Sequence, residues 1–261
     1  MARFQRFVIG VSLLIAPLFA HAEEWVIAVT EWYPYTCESC AGKGPGISAV
    51  KKMLNESGVQ VKFTFLPWAR AVSDTKKNKV DGYYPAWNED HHRGLIISDS
   101  VFHSPIGFIE RKLNPLKWDK LEDLRGKTIG VVIDYGNTAE FNALVESGVI
   151  KIEEAKDDET NVKKVLGGRL DGAFIDLVNG RYLIAKLGVR GVKNLQINEK
   201  AIANKSLHIV FGSEAYMKAE RFNKLLRKAK IQKEIDQYLK DHPPQVSRDT
   251  EVLWPRSAVL N

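Results

Sequence analysis

Short β-rich runs alternate with helical patterns in two successive series. The first series has strands over 24–30, 60–66 and 80–85, with helices over 47–57 and 68–77. The second begins near Lys127, with strands over 127–133, 150–155 and 169–176 and helices from about Thr138, over 159–167 and to about Lys186. This alternation is typical of parallel sheets with crossover helices. Two similar series predict an α/β protein with two lobes.

The chain after the second series carries one more strand and two helices. The strand is predicted over 207–212. Apolar residues at helical spacing then predict two helices that need a sheet to pack on: Phe222, Leu225, Leu226, Ile231, Ile235 and Leu239.

The N-terminus is typical of a secretory signal peptide over 1–22. Arg3 and Arg6 precede an apolar run over 7–19, and Ala20-His21-Ala22 gives the small-x-small cleavage pattern. A membrane anchor is the alternative, but the run has about 13 residues, against roughly 20 for a spanning helix. We expect a mature chain that begins at Glu23 and resides in the periplasm.

Charge and motifs exclude several classes of function. Losing the signal peptide removes two arginines, so the formal net charge falls from +6 to +4, and no basic stripe with interleaved aromatics points to a nucleic-acid partner. HExxH, GxSxG and phosphate-cradling motifs are missing, and "GKGPG" over 42–46 lacks P-loop spacing. His91, His92 and His103 are candidate metal ligands, but adjacent histidines on a strand are poorly placed for one ion. We expect no metal, cofactor or catalytic residue.

The two cysteines, Cys37 and Cys40, lie in the stretch "EWYPYTCESCAGKGPG". In an exported chain such a pair is expected to form a disulfide that holds the preceding aromatic residues. A redox centre is the alternative, but the glycines and proline that follow favour a turn over a helix N-terminus. A zinc site would need about four ligands, and the chain has no second cysteine pair.

Several motifs, in order, resemble those of the bacterial extracellular solute-binding protein family 3, which includes the polar amino-acid receptors of ABC transporters. The resemblance covers nearly the whole mature chain. It rests on Trp32-Tyr33-Pro34-Tyr35, Gly46-Ile47, "LPWARA" (66–71), Asp81 with Arg93 twelve residues later, "IISDSVF" (96–102), "LEDLRGKTIGVV" (121–132) and "GGRLDGAFID" (167–176).

The resemblance implies a two-lobed periplasmic binding protein fold of type II with two hinge crossings. Lobe 1 would comprise 23–111 plus 208–261, and lobe 2, inserted into it, 115–205. The first crossing is expected in "RKLNPLKW" (111–118) and the return in "NKSLHIV" (204–210). Two such lobes close over a small molecule in the intervening cleft.

The resemblance also implies a set of ligand-binding residues. Arg93 would pair with a ligand carboxylate, or else lie solvated on the surface. Asp176 would receive an amino group from the other lobe, or else only cap a helix. Trp32 and Trp68 would cover the ligand, and Arg70 would add positive charge or face solvent. The remaining candidates are Tyr35, Trp87, Asn88, Tyr135, Asn137 and Thr138, the last two at a helix N-terminus suited to an anion.

The stretch between Asp81 and Arg93 departs from the family pattern. Pro85 and Ala86 stand where Ser and Thr donors are common, while Tyr83, Tyr84, Trp87 and Tyr135 make a bulkier cleft suited to a peptide-like, cyclic or aromatic solute.

We therefore expect a monomeric exported protein that binds a small zwitterionic or anionic solute, without catalytic activity. Its partner would be an inner-membrane ABC permease or a sensor. The alternative is an enzyme on the same fold, similar to periplasmic cyclohexadienyl dehydratase, for which Glu31, Glu89, Asp90 and His91 are available by position only.

Overall fold

A computed structural model describes residues 24–88 and 92–244. The predicted signal peptide over 1–22, and with it the predicted start at Glu23, lies outside the described residues. No helix within the described ranges is long and apolar enough to cross a membrane.

Strands and helices alternate along the chain as the sequence predicts. The first part contains β1 (Glu24–Val29), α1 (Pro45–Glu56), β2 (Gln60–Phe65), α2 (Trp68–Lys76), β3 (Gly82–Trp87), the short β4 (Ile96–Ile97) and β5 (Phe102–Arg111). The second part contains β6 (Thr128–Val132), α3 (Ala139–Glu146), β7 (Lys151–Ala155), α4 (Asp158–Leu166), β8 (Gly172–Asp176), α5 (Leu177–Lys186), α6 (Gly188–Asn194) and β9 (Leu195–Ile197). The chain ends, within the described range, with β10 (Ala203–Phe211), α7 (Tyr216–Leu226) and α8 (Ile231–Asp241).

One continuous sheet runs through both parts, in the order β2-β1-β3-β10-β5-β8-β6-β7. β1 is parallel to β2 and β3, and β6 is parallel to β7 and β8. The long strands β5 and β10 are antiparallel to each other and lie between these two parallel groups. β4 pairs with β10, and β9 pairs with β5. The sheet therefore consists of two parallel α/β units, here called lobes 1 and 2, that are joined by two strands.

The chain first passes between the lobes earlier than the sequence predicts. β5 pairs with β10 over its first half, Phe102 to Ile106, and with β8 and β9 over its second half, up to Arg111. The crossing therefore lies within β5 and not in 111–118, so the predicted lobe 1 limit at 111 falls at the end of a strand already in lobe 2. Pro105 interrupts the strand pattern in the sequence, because proline cannot donate to a sheet ladder. The predicted return over 204–210 lies within β10.

The core follows the apolar periodicity of the sequence. In lobe 1, Trp25, Leu54 and Phe211 are fully buried between the sheet and the helices. In lobe 2, Phe108 and Phe174 are in ring contact at 6.1 Å. The predicted C-terminal helices are confirmed, and their apolar residues pack on the same core, either buried or partly buried: Phe222, Leu225, Leu226, Ile231, Ile235 and Leu239.

Candidate functional site

The segment 31–36, here called the aromatic loop, follows β1 and is held in shape by its own backbone. Trp32 and Thr36 exchange two backbone hydrogen bonds of 2.9 and 3.1 Å, and the Thr36 hydroxyl donates to the Thr30 carbonyl at 2.6 Å. Cys37 and Cys40 are joined by a disulfide, with their Cα atoms 5.3 Å apart. The loop is thus tied down on both sides.

Gly46 fixes the aromatic loop against α1. Its N–H donates to the Tyr35 carbonyl at 2.9 Å. A Cβ at position 46 would lie 2.9 Å from that carbonyl oxygen and 2.8 Å from the Tyr84 hydroxyl. Glycine is therefore required here for close approach of the two backbones.

A cavity of about 610 Å³ lies between the two lobes next to the aromatic loop. This volume is within the usual range for small-molecule sites. Lobe 1 contributes Thr30, Glu31, Trp32, Tyr33, Phe65, Leu66, Pro67 and Trp68, and lobe 2 contributes Tyr135, Lys156, Asp157, Asp158, Glu159, Asn179, Leu183 and Lys186.

Four rings, Trp32, Trp68, Trp87 and Tyr135, form an aromatic box beside this cavity. Trp87 makes edge-to-face contacts with Trp32 at 5.9 Å and with Tyr135 at 5.3 Å, and Trp68 contacts Tyr135 at 5.2 Å. The space that remains among them is about 10 Å³, enough for about one water molecule. Because Tyr135 belongs to lobe 2 and the tryptophans to lobe 1, these ring contacts join the lobes. All four residues were predicted as ligand-binding from the sequence.

Lys205 on β10 approaches the same box. Its side chain is buried, with the ammonium 4.5 Å from the centre of the Trp87 ring and donating to the Gly136 carbonyl at 2.5 Å. Sequence reasoning missed it, because a single lysine in a strand carries no signal of burial.

Asp158 is one of three carboxyl groups that line the cavity from lobe 2, together with Asp157 and Glu159. It is the first residue of α4, and its Oδ2 accepts from the Trp32 indole N–H at 3.2 Å, across the cleft. The pKa of Asp158 is raised from its ordinary value of 3.8 to about 7, mainly by burial and also by the charges of Asp176 and Asp157, against the hydrogen bond from Trp32. The sequence analysis missed Asp158. Its signal, an acidic run before a helix, is shared with any capped helix.

Asn179 lies in the first turn of α5 and lines the same cavity. Its side-chain N–H₂ donates to the Tyr33 carbonyl at 2.6 Å, which ties lobe 2 to the aromatic loop. The side chain is 98% buried (2% exposed), and its Oδ1 has no hydrogen-bond partner among the described residues. A buried amide oxygen without a partner is costly, so a donor placed against it would be stabilising.

Asp176 lies deeper than the sequence analysis expected. It caps α5, with Oδ1 accepting from the Asn179 N–H at 2.8 Å, and the Tyr35 hydroxyl donates to the same oxygen at 3.5 Å. Its side chain is 1% exposed and does not line the cavity. Burial raises the pKa of Asp176 to about 6, and burial also raises the pKa of Tyr35. The helix-capping alternative therefore describes its contacts, and the predicted amine-binding role has no support from the geometry.

Neither of the two arginines predicted for the site lines the cavity. Arg93 lies exposed in a turn, followed by Gly94 at a φ of 77°. Asp81, from which its spacing was counted, binds the Val26 N–H and Lys218. Arg70 is exposed and forms an ion pair of 2.7 Å with Asp74 one turn along α2.

Three further predicted residues lie outside the cavity lining. Asn88 is exposed, and Asn137 is partly buried. Thr138 caps α3 by accepting from the Phe141 N–H at 3.3 Å.

Residues 89–91, which include the enzyme candidates Glu89, Asp90 and His91, are outside the described ranges. Within those ranges no group of three or more His, Cys, Asp or Glu side chains is arranged to hold a metal ion. His92 is buried and uses both ring nitrogens, at 2.8 Å from the Tyr83 hydroxyl and 2.7 Å from the Trp87 carbonyl.

Solved structures similar to this chain are two-lobed binding proteins and sensor domains. An ancestral arginine-binding protein bound to arginine aligns with a TM-score of 0.68 at 18% identity, over 84% of this chain and 97% of that one. A histidine kinase sensor domain with similarity to periplasmic binding proteins aligns with a TM-score of 0.68 at 21% identity, over 83% and 93%. The GluR0 ligand-binding core from Nostoc punctiforme, in complex with L-glutamate, aligns with a TM-score of 0.63 at 16% identity, over 83% and 98%.

The chain has the two-lobed periplasmic binding protein fold. No protein-family model and no curated protein sequence matches it. At these identities the likeness shows the fold alone. In this chain, the cavity described above lies between lobes 1 and 2 of that fold.

Proposed function

We propose that the protein is an exported solute-binding protein that closes its lobes over a small amino-acid-like solute, for transport or sensing. The observation that carries this proposal is the cavity of about 610 Å³ lined from both lobes, with the Trp32 and Trp68 rings on one side and Tyr135 on the other. Arginine-, glutamine- and glutamate-bound relatives of the same fold support the solute class.

The charges on the cavity favour a zwitterion over a simple anion. Lys156 and Lys186 contribute positive charge, while Glu31, Asp157, Asp158 and Glu159 contribute carboxyl groups. Arg93, the expected carboxylate partner, is exposed in its turn. The solute's anionic end would therefore have to meet another group than the arginine that the resemblance implies.

A thermal-shift panel of the twenty L-amino acids, small peptides and aromatic acids tests this function, followed by calorimetry. A bound solute at 100 times its Kd should stabilise the protein by about 2.7 kcal/mol, a clear rise in Tm. Trp68→Ala should weaken binding, because it removes a wall of the cavity. Trp118→Ala is the matched control, since Trp118 is partly buried against Phe108 and lies outside the cavity. A panel with no stabilising solute would refute the proposal.

Export to the periplasm and an ABC permease or a sensor kinase as partner are part of the same proposal. The sensor-domain relative supports sensing as much as transport. Sequencing of the N-terminus of protein recovered from the periplasm should begin at Glu23. Recovery of the full-length chain in the cytoplasm would contradict export.

A lyase on the same fold is the second candidate, and Asp158 is the observation that favours it. A carboxyl group in a cleft with its pKa raised to about 7 can exchange a proton near neutral pH. The relatives described above are binding proteins and sensor domains. Incubation with a bound solute distinguishes the two, because a receptor returns the solute unchanged and a lyase converts it.

A further inference from the structure

We propose that Asp158 and Asn179 form a subsite for an organic cation, the ammonium or guanidinium group of the solute's side chain. The proposal rests on the function proposed above and names the charge that this wall of the cavity recognises. Both residues line the cavity from lobe 2, at the first turns of α4 and α5.

Two side chains at this wall have acceptor atoms with spare hydrogen-bonding capacity. The Asn179 amide donates its N–H₂ to the Tyr33 carbonyl, which turns its Oδ1 away from that contact and leaves it without a partner among the described residues. Among the described residues, the Asp158 carboxylate accepts one hydrogen bond, from Trp32. An ammonium or guanidinium group carries only donors, so it is the complement of two such oxygens.

Helix N-termini usually favour anions, but the two at this wall are already capped. Asp157 accepts from the Thr160 N–H at 2.8 Å at the start of α4. Asp176 accepts from the Asn179 N–H at 2.8 Å at the start of α5. These N–H groups are thus engaged by the chain's own carboxylates and are not offered to an anionic solute.

The neighbouring charges are mostly neutralised within the protein. Glu159 binds Lys163 and Lys186, each at 2.7 Å, and Asp157 is 3.9 Å from the largely exposed Lys156. No ion pair is found for Asp158 among the described residues, and its carboxylate is 94% buried (6% exposed). Asp158 is therefore the acidic group at this wall that a solute cation would neutralise.

Aromatic rings complete the subsite. Trp32 and Tyr33 of the aromatic loop and Trp68 line the cavity opposite Asp158 and Asn179. The faces of such rings attract a cation, and more strongly once water is excluded. The Lys186 ammonium already lies 5.2 Å from the centre of the Tyr33 ring, an internal example of this pairing at the rim.

The test compares cations with neutral isosteres by calorimetry at pH 8, where the Asp158 carboxyl is ionised. The probes are L-arginine against L-citrulline and L-lysine against L-norleucine. The wild type should bind each cation at least about 10-fold more tightly than its isostere, the contribution of one hydrogen-bonded charge. Asp158→Asn should bring both ratios close to one. It keeps the shape and an acceptor for Trp32, and it removes a buried charge, so the fold should persist.

Glu153→Gln is the matched control. It removes one negative charge from the same lobe, at an ion pair with Lys164 that lies outside the cavity. The two ratios should stay at their wild-type values in this variant. A ratio that collapses equally in Glu153→Gln would show a general effect of charge and overturn the subsite.

The outcomes separate this proposal from the one on which it rests. If panel solutes bind but arginine and lysine bind no tighter than their isosteres, the subsite is refuted and the solute-binding function stands. If the ratios survive in Asp158→Asn, the cation is read elsewhere and the subsite is again refuted. If no solute of the panel binds, both proposals fall.

Discussion

Replacing Asp158 by Asn should remove a pH-dependent loss of stability from the ligand-free protein. Asp158 is buried, and burial raises its pKa from 3.8 to about 7. The folded state therefore holds a proton on this carboxyl between these two pH values, while the unfolded state has lost it. Stability must fall as pH rises through this window, since folding there binds a proton.

The magnitude follows from the same two values. Each pKa unit corresponds to 1.36 kcal/mol, so a rise from 3.8 to about 7 lowers the free energy of unfolding by about 4 kcal/mol. This loss of stability is absent below pH 3.8 and complete above pH 7. The charges of Asp176 and Asp157 contribute to this rise in pKa, and the hydrogen bond from Trp32 opposes it. Asp158→Asn should match the wild type near pH 4 and exceed its free energy of unfolding by up to about 4 kcal/mol at pH 8.

Urea-induced unfolding followed by far-UV circular dichroism at pH 4, 5, 6, 7 and 8 measures this difference. The difference between variant and wild type is the informative quantity, because it cancels the contributions of the other carboxyl groups. Glu153→Gln, at a partly exposed ion pair, should give a difference that varies little over the same range. A difference for Asp158→Asn that is constant from pH 4 to pH 8 would refute the reasoning.

Three further outcomes are expected. Arg93→Ala should keep the solute affinity within about threefold of the wild type, because the Arg93 side chain is exposed. A loss of affinity of about a hundredfold, measured by calorimetry, would support the carboxylate-binding role instead. Serine at both positions of the disulfide should lower the free energy of unfolding by about 2 kcal/mol with the fold intact, and alkylation of unreduced, denatured wild type should find no free thiol. Gly82→Ala should lower the free energy of unfolding by about 1–3 kcal/mol, because the added Cβ would lie 2.6 Å from the Val210 carbonyl oxygen. Gly167→Ala is the control, since its Cβ would lie 3.4 Å from the Lys163 carbonyl oxygen and should change urea-induced unfolding little.

The elements of the fold follow from local pattern, and the sequence predicts them well. β-rich runs and helical periodicity locate both parallel groups of strands and the two C-terminal helices, because each of these carries its period in a few consecutive residues. β5 is the exception among the long strands. Pro105 and the polar residues near it hide a ten-residue strand whose pairing with both lobes depends on the whole sheet.

The residues of the candidate site also differ in how well the sequence predicts them. The four residues of the aromatic box were predicted as ligand-binding, because aromatic residues beside strand ends are conspicuous in the sequence, and that role stays a prediction. Asp158 was not, because its contact with Trp32 joins residues 126 positions apart and nothing local distinguishes it from a helix-capping acid.

The predicted roles of Arg93 and Asp176 rest on spacing along the chain. Spacing locates a residue on an element but does not fix the direction of its side chain. Arg93 lies in a turn that faces solvent, and Asp176 lies beneath the cavity as a helix cap.

The Trp32–Asp158 hydrogen bond makes solute charge and lobe closure parts of one equilibrium. Trp32 is held in lobe 1 by the aromatic loop, and Asp158 is fixed at the start of α4 in lobe 2, so this bond exists only while the lobes are close. The indole N–H is a donor only and binds an ionised carboxylate more strongly than a neutral one. A cation beside Asp158 favours the ionised form, and thereby strengthens the contact between the lobes. With a neutral isostere, the Asp158 carboxyl stays largely protonated at lower pH, and its hydrogen bond with Trp32 is weaker. The protein would therefore discriminate between solutes through closure of the lobes as well as through direct binding.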